Sequence, residues 1–117
     1  MSKVYYLSSC STCKRIMSEL PLDDFDKQDI KTHAITEEQL DEMKGLSGSY
    51  ETLFSRVAMK YRAMGLNEME LNEDDYKKYI LQEYTFLKRP VFVINDQIFI
   101  GNSKKNVSAV KTALGVS

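Results

Sequence analysis

Ten residues near the C-terminus, VFVINDQIFI, constrain the fold of this chain more than any other stretch. Two β-branched and aromatic runs, Val91-Phe92-Val93-Ile94 and Gln97-Ile98-Phe99-Ile100, flank Asn95-Asp96. A two-residue connection between such runs predicts a β-hairpin, because Asn and Asp both tolerate the positive φ of tight hairpin turns. Gly101-Asn102-Ser103 then turns the chain into a last helix, with Val107, Val110 and Leu114 at spacings of three and four.

The rest of the chain can be ordered against that hairpin. Val4-Tyr5-Tyr6-Leu7 is short, β-branched and aromatic, and ends at Ser8-Ser9, which reads as a buried strand. From Ser11 the apolar positions Ile16, Met17 and Leu20 recur at helical spacing until Pro21 stops the helix. Residues 29–35 alternate weakly and are expected to form a second strand, which would hold His33 as a surface or half-buried residue. Thr36-Glu37-Glu38-Gln39 has the form of a capping box, opening a helix that buries Leu40 and Met43 and stops near Gly45. Residues 50–64 read as one or two short helices closed by Gly65. Asn72 is the expected N-cap of a helix to about residue 84, with Glu73, Asp74 and Asp75 in its first turn. The order is β-α-β, several helices, then β-β-α. That is the thioredoxin-like order: a single α/β domain over 1–117, a mixed sheet of about four strands flanked by helices, and a helical insertion at about 36–84.

Composition narrows the function. A net charge of −1 argues against direct nucleic-acid binding, which needs a basic surface to neutralise phosphates. No apolar run approaches the roughly 20 residues of a membrane span, and the N-terminus lacks the apolar core of a signal peptide. A cytoplasmic protein without membrane association is the expectation. In that compartment structural disulfides are rare, so a close cysteine pair points to catalysis or metal binding.

Such a pair exists in SSCSTCKR, residues 8–15, which holds the only two cysteines. Placed between a strand and the helix after it, the pair meets unpaired amides and the positive end of the helix dipole, which stabilise a thiolate. Cys10 precedes the helix and is the expected nucleophile. Cys13, about one turn in, is the expected resolving thiol. Ser11 and Thr12 between them, and Lys14 after them, are supporting residues, and Lys14 and Arg15 can add positive charge. A structural zinc site wants four ligands, and two cysteines with the lone His33 fall short unless subunits share the site. Two inert buried thiols are the other alternative. No bound metal or organic cofactor is expected.

Lys88-Arg89-Pro90 precedes the strand of the hairpin. In a thioredoxin-like arrangement a proline here is commonly cis and its loop faces the cysteine turn. Arg89 would then stabilise a thiolate or hold an oxyanion by bidentate hydrogen bonding, with Pro90 in support. The alternative is a solvated arginine before a strand-initiating proline.

Together, SSCSTCKR after the first strand, the helical middle, LKRPVFV and the hairpin ending IFIG resemble the arsenate reductase (ArsC) family, which includes the Spx-type redox regulators. The resemblance covers essentially the whole chain. It implies that Cys10 attacks arsenate, that arginines hold the anion, and that glutathione and glutaredoxin complete the reduction. Arg89 is one implied anion ligand. Arg56, in the segment from Leu53-Phe54-Ser55-Arg56 to Tyr61-Arg62-Ala63-Met64-Gly65, is the other, with Lys60 and Arg62 as competitors for its role. Two features depart from the reductases. An arginine often follows the glycine after their final strand, whereas Gly101 here precedes Asn102-Ser103-Lys104, so that contact is missing or supplied by Lys104. Many of them also carry one cysteine in the loop, where this chain has two. A thiol–disulfide oxidoreductase acting on a small oxyanion or a disulfide, with glutaredoxin or thioredoxin as partner, is compatible with both departures. The alternative implied by Spx is a regulator that binds the RNA polymerase α subunit and is switched by a Cys10–Cys13 disulfide.

Overall fold

The computed structural model describes residues 2–116. In chain order its elements are β1 (Ser2–Tyr6), α1 (Ser11–Ser18), β2 (Asp26–Asp29), α2 (Glu37–Ser47), α3 (Met59–Ala63), α4 (Glu73–Gln82), β3 (Val91–Ile94), β4 (Gln97–Ile100) and α5 (Lys104–Ala113). Single 3-10 turns occupy Glu51–Leu53, Leu66–Glu68 and Tyr84–Phe86. Two compact units result. One is built from the segments up to His33 and from Arg89 onward, the other from Ala34–Lys88.

The first unit is a four-stranded sheet of order β2-β1-β3-β4. β1 pairs parallel with β2 and antiparallel with β3, and β3 pairs antiparallel with β4. The register aligns Val4, Phe92 and Phe99 across three strands. Side chains alternate across a sheet, so this row shares a face with Tyr6 and Ile94. Ile16 and Met17 from α1 and Val107, Val110 and Leu114 from α5 pack into the same cluster, with Leu20, Leu22 and Phe25. All four residues of β3 are buried, which is why VFVI is continuously apolar rather than alternating. The hairpin turn falls at Asn95-Asp96 as expected, with Asn95 at φ 56°.

β2 lies earlier than the sequence suggests. It spans Asp26–Asp29 rather than residues 29–35, and pairs from Lys3↔Asp26 to Tyr6↔Asp29. DKQD carries no apolar signal because this edge strand is held by its backbone, by a Lys3–Asp26 ion pair (3.5 Å), and by Phe25 and Ile30 buried just beyond each end. His33 therefore sits in an exposed turn rather than in a strand. Its N–H donates to the Asp29 carbonyl (2.9 Å), and its ring Nδ1 meets the Thr32 hydroxyl.

In the second unit both expected caps form. The Thr36 hydroxyl accepts from the Gln39 N–H while the Gln39 side chain accepts from the Thr36 N–H, each at 3.1 Å. Asn72 and Asp75 do the same for α4. Two helix ends differ from expectation. α2 runs through Gly45 to Ser47 and ends where Gly48 adopts φ 99°, a left-handed cap that glycine takes without steric cost. α4 stops at Gln82, two residues short, and the chain tightens into the Tyr84–Phe86 turn. The Glu73 carboxylate accepts from the N–H groups of Tyr50 and Glu51 (2.7 and 3.1 Å), so one side chain of α4 caps the Glu51–Leu53 turn.

Phe54 centres this unit. It is fully buried and its ring meets Phe86, Tyr76 and Tyr61 at centroid distances of 5.1, 5.0 and 6.0 Å. The backbone beside it is tied to the residues after α4, by Ser55 N–H to Phe86 C=O (2.7 Å) and Lys88 N–H to Leu53 C=O (2.8 Å). Phe54→Ala removes the shared partner of three aromatic rings and is expected to destabilise the fold by about 3–5 kcal/mol. Urea unfolding of the purified variant measures this, and a loss below about 1 kcal/mol would show that the ring is not a keystone.

Candidate active site: the cysteine turn

β1 ends at Tyr6 and α1 begins at Ser11, so four residues reverse the chain. The Cys10 N–H donates to the Leu7 carbonyl (3.0 Å), and the Cys10 carbonyl accepts the first helical bond from Lys14 (3.1 Å). Cys10 is thus the N-cap of α1, in extended conformation (φ −94°, ψ 111°). This position is usually filled by an oxygen-bearing side chain that accepts from the second or third helical amide. Here sulfur replaces oxygen, and no ordinary side-chain cap bond forms. The amides act on the ionised form instead.

Partial burial works against ionisation of Cys10. The Cys13 N–H, the Cys13 thiol, the Arg89 guanidinium and the Thr12 N–H outweigh it, and the Cys10 pKa falls below its ordinary value. Cys13 moves the other way. It is completely buried, and burial, together with the negative charge of the Cys10 thiolate, pushes it up to about 11 against the lowering pull of the Leu7 backbone and Arg89. The two free thiols are therefore differentiated by position alone. At neutral pH Cys13 is a thiol donating to the sulfur beside it, and Cys10 is the half-exposed group that ionises first.

Arg89 and Pro90 belong to this same unit, joined by a cis peptide bond. The Arg89 guanidinium favours the thiolate form of both cysteines, so its charge is felt at the cysteine turn. Pro90 is buried, and its carbonyl accepts from the Gly101 N–H (2.9 Å), which ties the arginine segment to the end of β4. Of the supporting residues, Thr12 contributes its backbone N–H, while Ser11 and Lys14 are exposed. Arg15 pairs one turn on with Glu19 (3.4 Å).

Arg56 lies in the second unit, where Glu51 (2.7 Å) and the Tyr76 hydroxyl (2.8 Å) hold its guanidinium against the Tyr76 ring. Its two competitors are placed differently. Lys60 is ion-paired with Glu83, and Arg62 is exposed on α3. Lys104 begins α5 and lines a cavity with Arg15, Glu19 and Lys111. Among the described residues no group of three His, Cys, Asp or Glu side chains could hold a metal, and no helix is long and apolar enough to cross a membrane.

One contact that supports the cysteine turn has no local sequence signal. The Asp29 carboxylate, at the end of β2, accepts from the Ser8 hydroxyl and the Ser8 N–H, and from the Lys31 N–H at 3.1 Å. The Ser8 hydroxyl is the main reason the Asp29 pKa lies below the ordinary carboxylate value. This contact anchors the reversal two residues before Cys10. The partners are 21 residues apart and neither motif announces the other.

Comparison with known proteins agrees with the geometry. A sheet of this order with a CxxC turn at a helix start defines the thioredoxin-like class. The sequence pattern of the ArsC family matches residues 5–110, and the chain belongs to that family. No functionally curated protein matches it in sequence. Among solved structures, it is similar to the YffB (PA3664) protein, with 22% identity, a TM-score of 0.77, and coverage of 93% of this chain and 97% of that one. A structure titled "a possible arsenate reductase" from Streptococcus mutans UA159 has 27% identity and a TM-score of 0.70, covering 89% and 92%. An arsenate reductase from Vibrio cholerae shares the fold at 17% identity, with a TM-score of 0.71 over 99% and 97%.

Replacing Arg89 by Gln removes a charge that lowers the Cys10 pKa, so Cys10 alkylation at neutral pH should slow and its pH profile move upward. Iodoacetamide labelling followed by mass spectrometry reads this directly. An unchanged profile would separate Arg89 from the thiolate.

Proposed function

We propose that this chain is a cytoplasmic thiol oxidoreductase in which Cys10 is the attacking thiolate and Cys13 the resolving thiol. The observation that carries this reading is the opposite displacement of the two cysteines, one favoured as thiolate and the other held as a buried thiol. With a disulfide substrate, the Cys10 thiolate attacks one sulfur and the other sulfur leaves as a thiolate. Cys10 is now neutral in a mixed disulfide, which removes the negative charge that helped to hold the Cys13 proton. Cys13 then loses its proton and attacks the Cys10 sulfur, releasing the second substrate thiolate and leaving a Cys10–Cys13 disulfide. Two thiols of glutathione, directly or through glutaredoxin, reduce that disulfide and are oxidised in turn.

The same thiolate suits arsenate. Arsenate and two thiols give arsenite, a disulfide and water, with Cys10 forming the first sulfur–arsenic bond. Arg89 holds the anion beside the sulfur, and the family resemblance implies Arg56, whose guanidinium pairs with Glu51 in its own unit, as a further ligand. Membership of the ArsC family and likeness to proteins described as arsenate reductases support this substrate. The close thiol pair also supports a second reading, an Spx-like switch in which a Cys10–Cys13 disulfide sets binding to the RNA polymerase α subunit.

Turnover of arsenate and of a small disulfide, side by side with glutathione and glutaredoxin, tests the enzyme reading. Cys10→Ser should abolish both activities, and Cys13→Ser should accumulate a mixed disulfide at Cys10. Absence of turnover with either substrate, alongside redox-dependent capture of the polymerase α subunit, would overturn the enzyme and favour the switch.

A further inference from the structure

α1 and α5, with Glu19 and Asn102 just outside their ends, line an open cleft of about 440 Å³ to which neither cysteine contributes. Its apolar floor is Ile16, itself buried, and Val107. Arg15, Lys104 and Lys111 bring three cations to the walls, and Glu19 brings one carboxylate, a local balance of +2 in a chain whose net charge is −1. Asn102 and Ser108 add neutral hydrogen-bonding groups. Glu19 is divided between Arg15 at 3.4 Å and Lys111 at 3.7 Å. Both contacts exceed the about 2.7–2.9 Å of close charge-assisted bonds, so neither cation is well neutralised. Lys104 forms no ion pair among the described residues.

We propose that this cleft binds a small organic anion, a carboxylate or phosphate carried on an apolar body. The size falls in the about 300–1,000 Å³ range of small-molecule sites, and an apolar floor with a few convergent polar groups is their usual chemistry. Lys104, Arg15 and Lys111 take the charged group, and Ile16 and Val107 cover the body. Glu19 acts as the internal competitor, occupying the cations until the ligand's own charge replaces it. The site stands independently of what Cys10 does, and binding rather than turnover is its readout.

Amide chemical shifts of the full chain, followed during titration with phenyl phosphate, inorganic phosphate and phenol, test the proposal. Phenyl phosphate should saturate shifts at Ile16, Val107 and Ser108 with a Kd on the order of 1 mM or tighter. Inorganic phosphate and phenol, each lacking one half of the ligand, should bind at least about tenfold more weakly. Lys104→Glu reverses a charge at the first helical position, where an acidic residue suits the helix dipole, so the fold is retained while affinity drops about tenfold. Glu19→Gln should raise affinity, because two cations lose their competitor. Shifts that do not saturate, inorganic phosphate binding as well as phenyl phosphate, or affinity indifferent to Lys104→Glu would each overturn the proposal.

Discussion

The contrast between the two cysteines depends on a sulfur placed at the N-cap of a helix. An N-cap oxygen ordinarily completes the first turn by accepting backbone protons. A neutral thiol does so poorly and a thiolate does so well, so the unmet amides of α1 become a driving force for ionising Cys10. Three residues on, the same helix turns inward and buries Cys13, which raises that pKa by desolvation. One turn of helix thereby separates the acidities of two identical side chains.

That placement needs support from elements distant in sequence. β1 delivers the loop, and its central position in the sheet, between parallel β2 and antiparallel β3, holds its end in place. Asp29 at the end of β2 grips Ser8 on one side of the reversal, while Arg89 and Pro90, entering β3, stand on the other side of β1. The two strands flanking β1 thus each contribute a polar group to the cysteine turn. The core row of Val4, Phe92 and Phe99 under α1 and α5 keeps the helix seated on that sheet.

Much of this could be read from residues in order. The hairpin, the two helix N-caps at Thr36 and Asn72 and the strand–CxxC–helix arrangement are local signals, each fixed by neighbours within a few positions. Alternation places β2 at residues 29–35, because DKQD is held by backbone pairing and by Phe25 and Ile30 outside its ends and carries no apolar pattern of its own. α2 outran its expected stop because a glycine inside a helix is tolerated, and positive φ at Gly48, not composition, marks its end. The Ser8–Asp29 contact spans 21 residues and has no sequence signature at all. Only resemblance distinguishes Arg56 in the sequence, and its engagement with Glu51 and Tyr76 depends on the placement of α4.

The central claim is that one fold position makes Cys10 a thiolate while its neighbour remains a thiol. Ultraviolet absorbance of the thiolate, followed against pH in the reduced protein and in the Cys10→Ser and Cys13→Ser variants, measures it most directly. The account predicts two separated ionisations in the wild type: one below the ordinary cysteine value, lost in Cys10→Ser, and one far above it, near 11, lost in Cys13→Ser. Two overlapping ionisations at the ordinary value would contradict it.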